Sequence, residues 1–433
     1  MNERWDVVVV GAGPAGLAAA AAAHDRGTSV CVVEREDRPG GILKQCIHDG
    51  FGLLRYQDRL TGPEYAHREL SQVRARGIPI LTGVFLLAIR RTGRGFGLTL
   101  QCPKRGVFEL ATSSLVAATG CRERTARQVF IPGDRPAGVY PAGLAQRLLN
   151  MEGLLPGRRC VVLGSGDIGL IVARRLTLEG ATVEGVYEIK AEPSGLDRNL
   201  AQCLDDFHIP LYLGATVSRV HGRGRVSAVT VCRVDDRLRP MADTARLVPC
   251  DTLIVSVGLI PENEILRGLD VEFDPRTGGP IVDQTLQTSL PGLFSCGNSL
   301  QVHDLVDHVS EGGEIAGAAA ADHAAGRLPT MGETPAREVR AAGELRQVVP
   351  QRIHPALPGR IVLWFRARRT LEASTLTAAW SGKPAPVEEY SSLRPPEMQR
   401  VALEYSGQTD HLVLELREVS GNARENGVRA VPA

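Results

Sequence analysis

The sequence repeats one pattern twice. Each copy has a short apolar run, a turn with three glycines, a helical stretch and a second apolar run that ends in glutamate. The first copy contains VVVVGAGPAG and ends at Glu34, and the second contains RCVVLGSGDIG and ends at Glu188. A strand, a glycine turn, a helix and a strand within about 30 residues are typical of a βαβ unit in a parallel sheet. The repeat therefore predicts an α/β chain with two Rossmann-like domains.

The first glycine turn has the spacing of a nucleotide site. Gly11, Gly13 and Gly16 form a complete G-x-G-x-x-G directly after a predicted strand. The first glycine permits a tight turn, the second lets the backbone approach a pyrophosphate, and the third lets the helix pack on the strand. The helix N-terminus offers free N–H groups to phosphates, and Glu34 is placed to accept hydrogen bonds from ribose hydroxyls. The alternative is a glycine turn of purely structural use.

Composition excludes several classes of protein. The 433 residues carry 50 basic and 49 acidic side chains, a net charge of +1, so we do not expect nucleic acid as a partner. The run from Val7 to Ala23 carries no charge, but it contains three glycines and Pro14. It also falls short of the roughly 20 apolar residues that a membrane span needs. We therefore expect no transmembrane segment and a cytoplasmic protein.

Three further motifs follow the first glycine turn in a fixed order. RPGG ends at Gly41, ATG ends at Gly120, and PGLFSCGN ends at Asn298. With the glycine turn, they resemble the flavoproteins that have two dinucleotide-binding domains, the superfamily of glutathione and thioredoxin reductases. The resemblance covers residues 1–330 and implies FAD in the first unit and a nicotinamide nucleotide in the second. Most members have Asp in place of Asn298, although an amide can also bond a ribityl hydroxyl.

The resemblance, together with the spacing, assigns contacts for both cofactors. The candidate FAD residues are Gly11, Gly13, Pro14, Ala15, Gly16, Glu34, Arg35, Gly41, Ile42, Thr119, Gly120, Gly297 and Asn298. The candidate NAD residues are Gly164, Gly166, Asp167, Ile168, Gly169, Glu188 and Gly258. A carboxylate such as Glu188 accepts a bond from a ribose 2′-OH and repels a 2′-phosphate, so the sequence favours NAD over NADP. The alternative is a degenerate second site that binds another nucleotide or none.

Four residues are candidates for catalysis. His303 and Asp307 follow the late motif at a predicted helix start, where reduced flavin benefits from a donor or a helix dipole. A solvated helix start, a domain contact and a metal pair are the alternatives, and since two ligands make a weak metal site we predict no metal. Cys46 and His48 lie in a segment expected to pass the flavin. Cys46 is either a lone redox thiol or a packing residue.

The nine cysteines include no C-x-x-C pair. We therefore predict that the chain is not a dithiol–disulfide reductase, because that chemistry needs two neighbouring thiols. The last cysteine is Cys296, so residues 297–433 offer no thiolate ligands for an iron–sulfur centre.

A narrower resemblance rests on GGILKQCIHDGFGL, IPGDRPAGVYPAGLAQ and GNSLQVHDLVDHVSE. These segments resemble the FAD/NAD-dependent oxidoreductase encoded beside anaerobic-type glycerol-3-phosphate dehydrogenase homologues. They also resemble the α subunits of opine, hydroxyproline, proline and sarcosine dehydrogenases. This resemblance implies an oligomeric assembly that includes a small iron–sulfur protein and a substrate-oxidising flavoprotein. The alternatives are a stand-alone NADH oxidase or peroxide reductase that uses Cys46, and a non-catalytic, flavin-bearing assembly protein.

The same patterns predict the domain organisation. We expect an FAD-binding domain over residues 1–125 and 265–330, an NAD(P)-binding domain over 126–264, a β-rich interface domain over 340–420 and a tail over 421–433. Runs that alternate apolar and polar residues, such as Ile361 to Ala367, indicate the strands of the third region. Because both nucleotide folds end before it, we expect that region to serve as a docking element and not to be needed for holding a cofactor.

Overall fold

The computed structural model describes residues 4–329, 336–380, 384–407 and 410–419. The chain divides into two compact units, each with one glycine-rich repeat. The first consists of Met1–Pro39, Glu69–Gly120 and Asn263–Ala433, and the second of Gly40–Arg68 and Cys121–Glu262. Each unit is built on a sheet with parallel strands and helices, so the predicted fold class is confirmed.

The N-terminal part of the chain contains the first repeat. Its elements are β1 (Arg4–Val10), α1 (Pro14–Asp25), β2 (Val30–Val33), β3 (Asp49–Phe51), β4 (Leu60–Thr61), α2 (Gly62–Ala75), β5 (Ile80–Leu81), β6 (Phe85–Thr92), β7 (Gly95–Cys102) and β8 (Gly106–Ala117). The main sheet has the order β5-β2-β1-β8-β7-β6, and β1 runs parallel to both β2 and β8. Val7 to Val10 and all of β2 are buried, as expected for central strands covered on both faces.

Strand β8 differs from the sequence prediction. The pattern predicts two short strands here, Val107 to Ala111 and Leu115 to Gly120. The structure has one continuous strand, whose first part pairs with β7 and whose second part pairs with β1. Two of the polar residues in between, Thr112 and Ser114, are buried and bonded: the Thr112 hydroxyl donates to the Ser114 carbonyl (2.7 Å), and Ser114 Oγ lies 2.8 Å from His323 Nδ1. Satisfied polar groups do not interrupt a strand.

The middle part of the chain contains the second repeat. Its elements are β9 (Cys121–Glu123), β10 (Val139–Pro141), α3 (Ala142–Glu152), β11 (Arg159–Leu163), α4 (Asp167–Leu178), β12 (Thr182–Glu188), α5 (Asp197–Cys203), β13 (Leu211–Leu213), β14 (Ala215–Gly222), β15 (Val226–Arg233), β16 (Arg246–Pro249), β17 (Thr252–Val255) and β18 (Leu259–Pro261). A parallel sheet of order β10-β17-β11-β12-β13 carries the glycine turn, and β14-β15-β16 form an antiparallel sheet. The unit also contains residues 40–68, which the sequence pattern assigns to the first domain. These residues pack on α3, where Gln45 Nε2 donates to the Gly143 carbonyl (2.8 Å).

The C-terminal part of the chain returns to the first unit. Its elements are β19 (Leu293–Ser295), α6 (Val306–Ala324), β20 (Arg337–Gly343), β21 (Leu345–Val349), β22 (Arg352–Ile353), β23 (Gly359–Ala367), β24 (Ser374–Ala379), β25 (Ala385–Tyr390), β26 (Gln399–Tyr405) and β27 (Leu412–Glu418). Strand β19 pairs with β8. From β20 onward the described residues form two sheets, β22-β20-β27-β24-β25 and β21-β23-β26. The expected tail 421–433 lies outside the described residues.

The C-terminal strands share a hydrophobic core with the first repeat. Val349, Trp364 and Met398 belong to the same buried cluster as Val9 and Leu17. The β-rich region is therefore part of the first compact unit, and a chain ended at Leu328 would leave this face of the core uncovered. Its expected role as a docking element stays a prediction. Among the described residues, no helix combines the length and the apolar character needed to cross a membrane.

Candidate functional site

The first glycine turn leaves no room for side chains at two of its glycines. Gly11 has a φ of +107°, and a Cβ atom there would lie 2.3 Å from the carbonyl oxygen of Ala118. A Cβ atom on Gly16 would lie 1.8 Å from the Gly11 carbonyl oxygen. Gly13 precedes α1, and Pro14 occupies its first turn. Close packing of strand, turn and helix brings the N-terminus of α1 to the end of β1, which is the arrangement that receives a pyrophosphate.

Glu34 braces this turn. Its side chain is buried, Oε2 accepts a hydrogen bond from the Ala12 N–H (2.7 Å), and Oε1 accepts one from the Glu36 N–H (2.8 Å). A carboxylate has about four acceptor positions, so these two bonds leave capacity for a ribose hydroxyl. Arg35, the adjacent FAD candidate, is exposed.

The ends of β8 and β19 close the same site. The Cys296 N–H and the Ser299 hydroxyl both donate to the Ala117 carbonyl oxygen, at 3.1 and 3.0 Å. A Cβ atom on Gly297 would lie 2.7 Å from the Cβ of Ala15. The structure therefore brings the first turn, the segment containing Thr119 and Gly120, and the Gly297–Asn298 motif together within one unit, although they are far apart in sequence.

The segment after Asn298 leads into α6. Asn298 Oδ1 accepts a hydrogen bond from the His303 N–H (3.0 Å), and the buried Asp307 lies in the first turn of the helix. Burial, with contributions from His308 and Arg366, lowers the pKa of His303 to about 3, so its imidazole is neutral at pH 7. The ring of His303 meets that of Trp364 edge-on, with centroids 5.8 Å apart. Sequence reasoning missed Trp364, since no local motif marks it.

The second glycine turn follows the same design. Gly164 has a φ of +102°, a Cβ atom on it would lie 2.0 Å from the Ser256 carbonyl oxygen, and one on Gly169 would lie 2.5 Å from the Gly164 carbonyl oxygen. A Cβ atom on Gly166, by contrast, would meet no protein atom within 4 Å. The space beside Gly166 is therefore open to a ligand.

Glu188 braces the second turn as Glu34 braces the first. It is buried, and its Oε2 accepts hydrogen bonds from both the N–H (3.0 Å) and the hydroxyl (2.6 Å) of Ser165. Its Oε1 accepts from the Lys190 N–H (3.1 Å). The Ser165 hydroxyl in turn accepts from the Ser194 N–H (2.9 Å). Sequence reasoning missed Ser165, although its position between two glycines of the turn is a usable signal.

The other second-unit candidates have structural contacts of their own. Asp167 Oδ1 accepts hydrogen bonds from the Leu196 N–H (2.9 Å) and from Asn199 Nδ2 (2.6 Å), and so ties α4 to α5. Ile168 packs at the edge of the hydrophobic cluster of this unit. Gly258 has a φ of +104°, and its carbonyl accepts from the Arg124 N–H.

Cys46 and His48 lie in the second unit with Gly41 and Ile42. Gly41 and Ile42 begin a 3₁₀ turn that ends at Gln45, and the thiol of Cys46 lies 3.4 Å from the Ile42 carbonyl oxygen. Burial raises the pKa of Cys46 to about 12, and burial also lowers the pKa of His48. The thiol is therefore protonated at neutral pH. Among the described residues, no group of three or more His, Cys, Asp or Glu side chains is arranged to hold a metal ion.

Comparison with known proteins agrees with this geometry. Residues 5–324 match the family described as pyridine nucleotide-disulphide oxidoreductase. The chain is 30% identical to hydrogen cyanide synthase subunit HcnB of Pseudomonas aeruginosa, covering 61% of this chain and 59% of the relative. It is 23% identical to one of the subunits of opine oxidase from Agrobacterium tumefaciens, covering 76% and 65%. The chain thus spans less than two thirds of the length of these relatives.

A solved structure shows the same fold. Thioredoxin reductase of Lactococcus lactis superposes with a TM-score of 0.62 at 20% identity, covering 74% of this chain and 99% of that one.

Proposed function

The chain belongs to the pyridine nucleotide-disulphide oxidoreductase family, and on that premise we propose that it passes reducing equivalents between NAD(H) and an FAD held by the first unit. The family binds FAD and a nicotinamide dinucleotide. The observation that carries the proposal is that each unit has a glycine turn braced by its own buried glutamate, Glu34 in one and Glu188 in the other. Two such turns in one chain suit one bound cofactor and one exchanging cofactor.

The residues of the first unit fit FAD. Gly11 and Gly16 keep the turn free of side chains, and Glu34 retains acceptor positions for a ribose. Gln301 Nε2 and His303 Nδ1 are buried polar atoms without a hydrogen-bond partner among the described residues, and a ligand rich in acceptors and donors satisfies such atoms. When bound, FAD supplies the redox chemistry, while the protein orients it and excludes water. We propose that His303, neutral at pH 7, contacts the flavin as a hydrogen-bonding group, with Asp307 beside it.

We further propose that the second unit uses NAD and not NADP. The carboxylate of Glu188 is fixed by three hydrogen bonds at the end of β12, the position from which an acidic group contacts the adenosine ribose. A 2′-phosphate at that position would face a buried negative charge.

The relatives support a role within a larger assembly. One is a subunit of hydrogen cyanide synthase and another is a subunit of opine oxidase. We propose that this chain is likewise the electron-transfer subunit of a multi-subunit amino-acid, opine or glycerol-3-phosphate-type dehydrogenase. Its partners would be a substrate-oxidising flavoprotein and a small iron–sulfur protein.

The state of Cys46 weighs against peroxide or disulfide chemistry. A redox thiol reacts as its thiolate, whereas burial raises the pKa of Cys46 to about 12. No C-x-x-C pair is present to supply a second thiol. We therefore propose a packing role for Cys46 and no dithiol–disulfide reductase activity.

Rapid mixing of the pure protein with NADH in the absence of oxygen tests the proposal. We expect the flavin absorbance to bleach without steady turnover, because the electron acceptor is a partner protein. Peroxide turnover that is lost in Cys46→Ser would support a stand-alone peroxide reductase instead. A flavin that NADH does not reduce would contradict the proposal and favour a purely structural role in assembly.

A further inference from the structure

The three-stranded sheet β21-β23-β26 has two unlike faces. Its antiparallel register pairs Gln347 with Arg366, Val349 with Trp364, and Trp364 with Arg400. Paired residues, and residues two apart on one strand, point to the same side of a sheet. These five residues therefore lie on one face. The opposite face packs in the interior of the C-terminal strands, with the side chains of Val348, Leu363, Phe365 and Val401.

The first of these faces covers the segment that joins the Gly297–Asn298 motif to α6. Arg366 Nη2 donates to Asp304 Oδ1 (2.7 Å) and to the Val302 carbonyl (3.0 Å). The Met398 N–H donates to the other oxygen of Asp304 (2.6 Å). Asp304 is thus bonded from two points of the C-terminal region. The side chains of Arg366 and Asp304 are 12% and 24% exposed, so solvent screens this pair less than a pair on the open surface.

Three more contacts tie the same face to the same segment. The guanidinium of Arg400 bonds both carboxylate oxygens of Glu311 in the second turn of α6. Trp364 meets the ring of His303 edge-on. Gln347 Nε2 lies 3.5 Å from Gln301 Oε1, and both of these side chains are buried. The sheet therefore fixes the segment from Gln301 to Glu311 at several successive positions.

This segment is bonded to Asn298, the candidate flavin contact that precedes it. Asn298 Oδ1 bonds the His303 N–H, so movement of His303 moves the amide. In addition, Gln301 Nε2, His303 Nδ1 and Trp364 Nε1 are buried without a hydrogen-bond partner among the described residues. Burying such an atom without a hydrogen bond lowers the stability of the fold, unless a ligand or a water molecule supplies the missing partner. They are grouped where the C-terminal sheet meets the start of α6.

We propose that the β21-β23-β26 sheet is a positioning element of the flavin site, in which Trp364 and Arg366 hold His303 and Asn298 against the bound flavin. This inference rests on the proposed binding of FAD to the first unit. It gives the C-terminal region a direct part in setting flavin affinity and reduction potential. Trp364 and Arg366 are positioning residues and take no part in the redox step.

Two variants and two matched controls test the proposed positioning role of Trp364 and Arg366. Arg366→Met removes the bonds of the guanidinium to Asp304 and to the Val302 and Pro396 carbonyls, while the Met398 N–H still bonds Asp304. Trp364→Phe removes only the indole N–H and part of the ring. The controls are Arg340→Met, which breaks an exposed pair with Glu338, and Trp380→Phe, whose indole stacks on Tyr405 away from the segment. The measurements are the rate of FAD release on dilution, and the visible absorbance spectrum and reduction potential of the fully FAD-loaded proteins.

We expect both positioning variants to release FAD about tenfold faster, because Arg366→Met loses hydrogen bonds to the segment and Trp364→Phe loses part of the ring contact with His303. Their flavin spectrum and potential should also shift, and the controls should match the wild type in both. A variant that only destabilised the fold would lower the melting temperature without changing the potential of the loaded protein. If Arg366→Met does not fold, the FAD release rate, flavin spectrum and reduction potential of Trp364→Phe decide whether the positioning role holds.

The possible outcomes distinguish failure of the proposed function from failure of the positioning role. A wild-type protein that binds no FAD would refute the proposed function. A wild type that binds FAD, with positioning variants identical to the controls in release rate, spectrum and potential, would refute the positioning role alone.

Discussion

The two glycine turns are both stabilised by a buried glutamate, but they differ in which other segments of the chain pack against them. In each, a buried glutamate accepts a hydrogen bond from the residue after the first glycine, Ala12 in one turn and Ser165 in the other. The first turn is then enclosed by residues distant in sequence, the ends of β8 and β19. The second turn also packs on the end of one distant strand, at Ser256 after β17, and is otherwise completed by Ser165 and Ser194. The first turn is thus bounded by two distant strand ends and the second by one, together with its own loop.

The helices that follow the turns show the same difference. Helix α1 lies so close to α6 that a Cβ atom on Gly313 or Gly317 would be 2.2 or 2.1 Å from the carbonyl oxygens of Ala15 and Ala19. Only small residues allow that approach, which explains the run of alanines in α1. Helix α4 buries one face and carries partly exposed arginines on another. A turn bounded by the ends of two distant strands suits a cofactor that stays, and a turn with open space beside Gly166 suits a nucleotide that exchanges.

The largest effect is expected from a side chain introduced into the first glycine turn, which should abolish FAD binding. Gly13→Val places two methyl groups where the backbone must approach the pyrophosphate. We expect loss of nearly all bound flavin, about a 100-fold weaker affinity, because every other contact depends on that approach. Flavin absorbance per mole of purified protein measures it. Stoichiometric FAD in this variant would show that the turn does not hold the cofactor.

The matching change in the second turn should act on nicotinamide binding alone. Gly166 has open space around its missing Cβ, so Gly166→Val leaves the fold and the FAD content unchanged. We expect reduction of the flavin at low NADH to slow by at least about tenfold, the effect of blocking a close backbone contact. Gly224→Val, at another open position of the same unit, is the control. Equal reduction rates in the two variants would remove the nicotinamide site from this turn.

The two glutamates should differ in their effect on nucleotide choice. Glu188→Gln removes the charge and keeps an oxygen acceptor for Ser165. Only the bond from the Lys190 N–H is lost, so the variant leaves fewer buried groups unsatisfied than alanine would. We expect the preference for NADH over NADPH to narrow by about tenfold, which corresponds to the removal of roughly 1.4 kcal/mol of repulsion between Glu188 and the 2′-phosphate. Glu34→Gln should leave that preference unchanged. A wild type that is reduced faster by NADPH would overturn the assignment of Glu188.

The smallest expected effect is a pH dependence of the melting temperature that His303 in the first unit causes. Burial lowers the pKa of His303 to about 3, whereas an unfolded histidine titrates near about 6.5. Between these values the unfolded chain binds the extra proton, so His303 destabilises the fold progressively as the pH falls below about 6.5 and has no effect above it. Comparing wild type with His303→Gln between pH 7.5 and 5.5, we expect the wild type to lose about 2 °C more in melting temperature. Equal losses would show that His303 is not held neutral.

Much of the fold follows from local sequence patterns. The two βαβ units and the glutamates at their ends are predictable because glycine spacing and strand-length apolar runs are local signals. The two-strand prediction for the region of β8 was wrong, because polar residues such as Thr112 and Ser114 find buried partners that a sequence does not display. The same reasoning explains why Ser165 was missed: its role depends on Ser194, which lies beyond the repeat.

The site around α6 is predictable only in part. His303 and Asp307 are found because they follow the Gly297–Asn298 motif. Trp364 and Arg366 are not, since they are about 60 residues further along and reach the segment only through the register of β23 with its neighbours. Long-range packing of this kind, which also joins the C-terminal strands to the core, leaves no mark on a single sequence.

The difference between a retained and an exchanging nucleotide is the central claim, and one measurement tests it directly. The native protein is desalted extensively, denatured, and the released nucleotides are separated and quantified. We predict one FAD per chain and no NAD or NADH, because the ends of two distant strands bound the first turn, whereas the second turn has open space beside Gly166. Loss of FAD on desalting, or NAD retained in the same amount as FAD, would contradict the account.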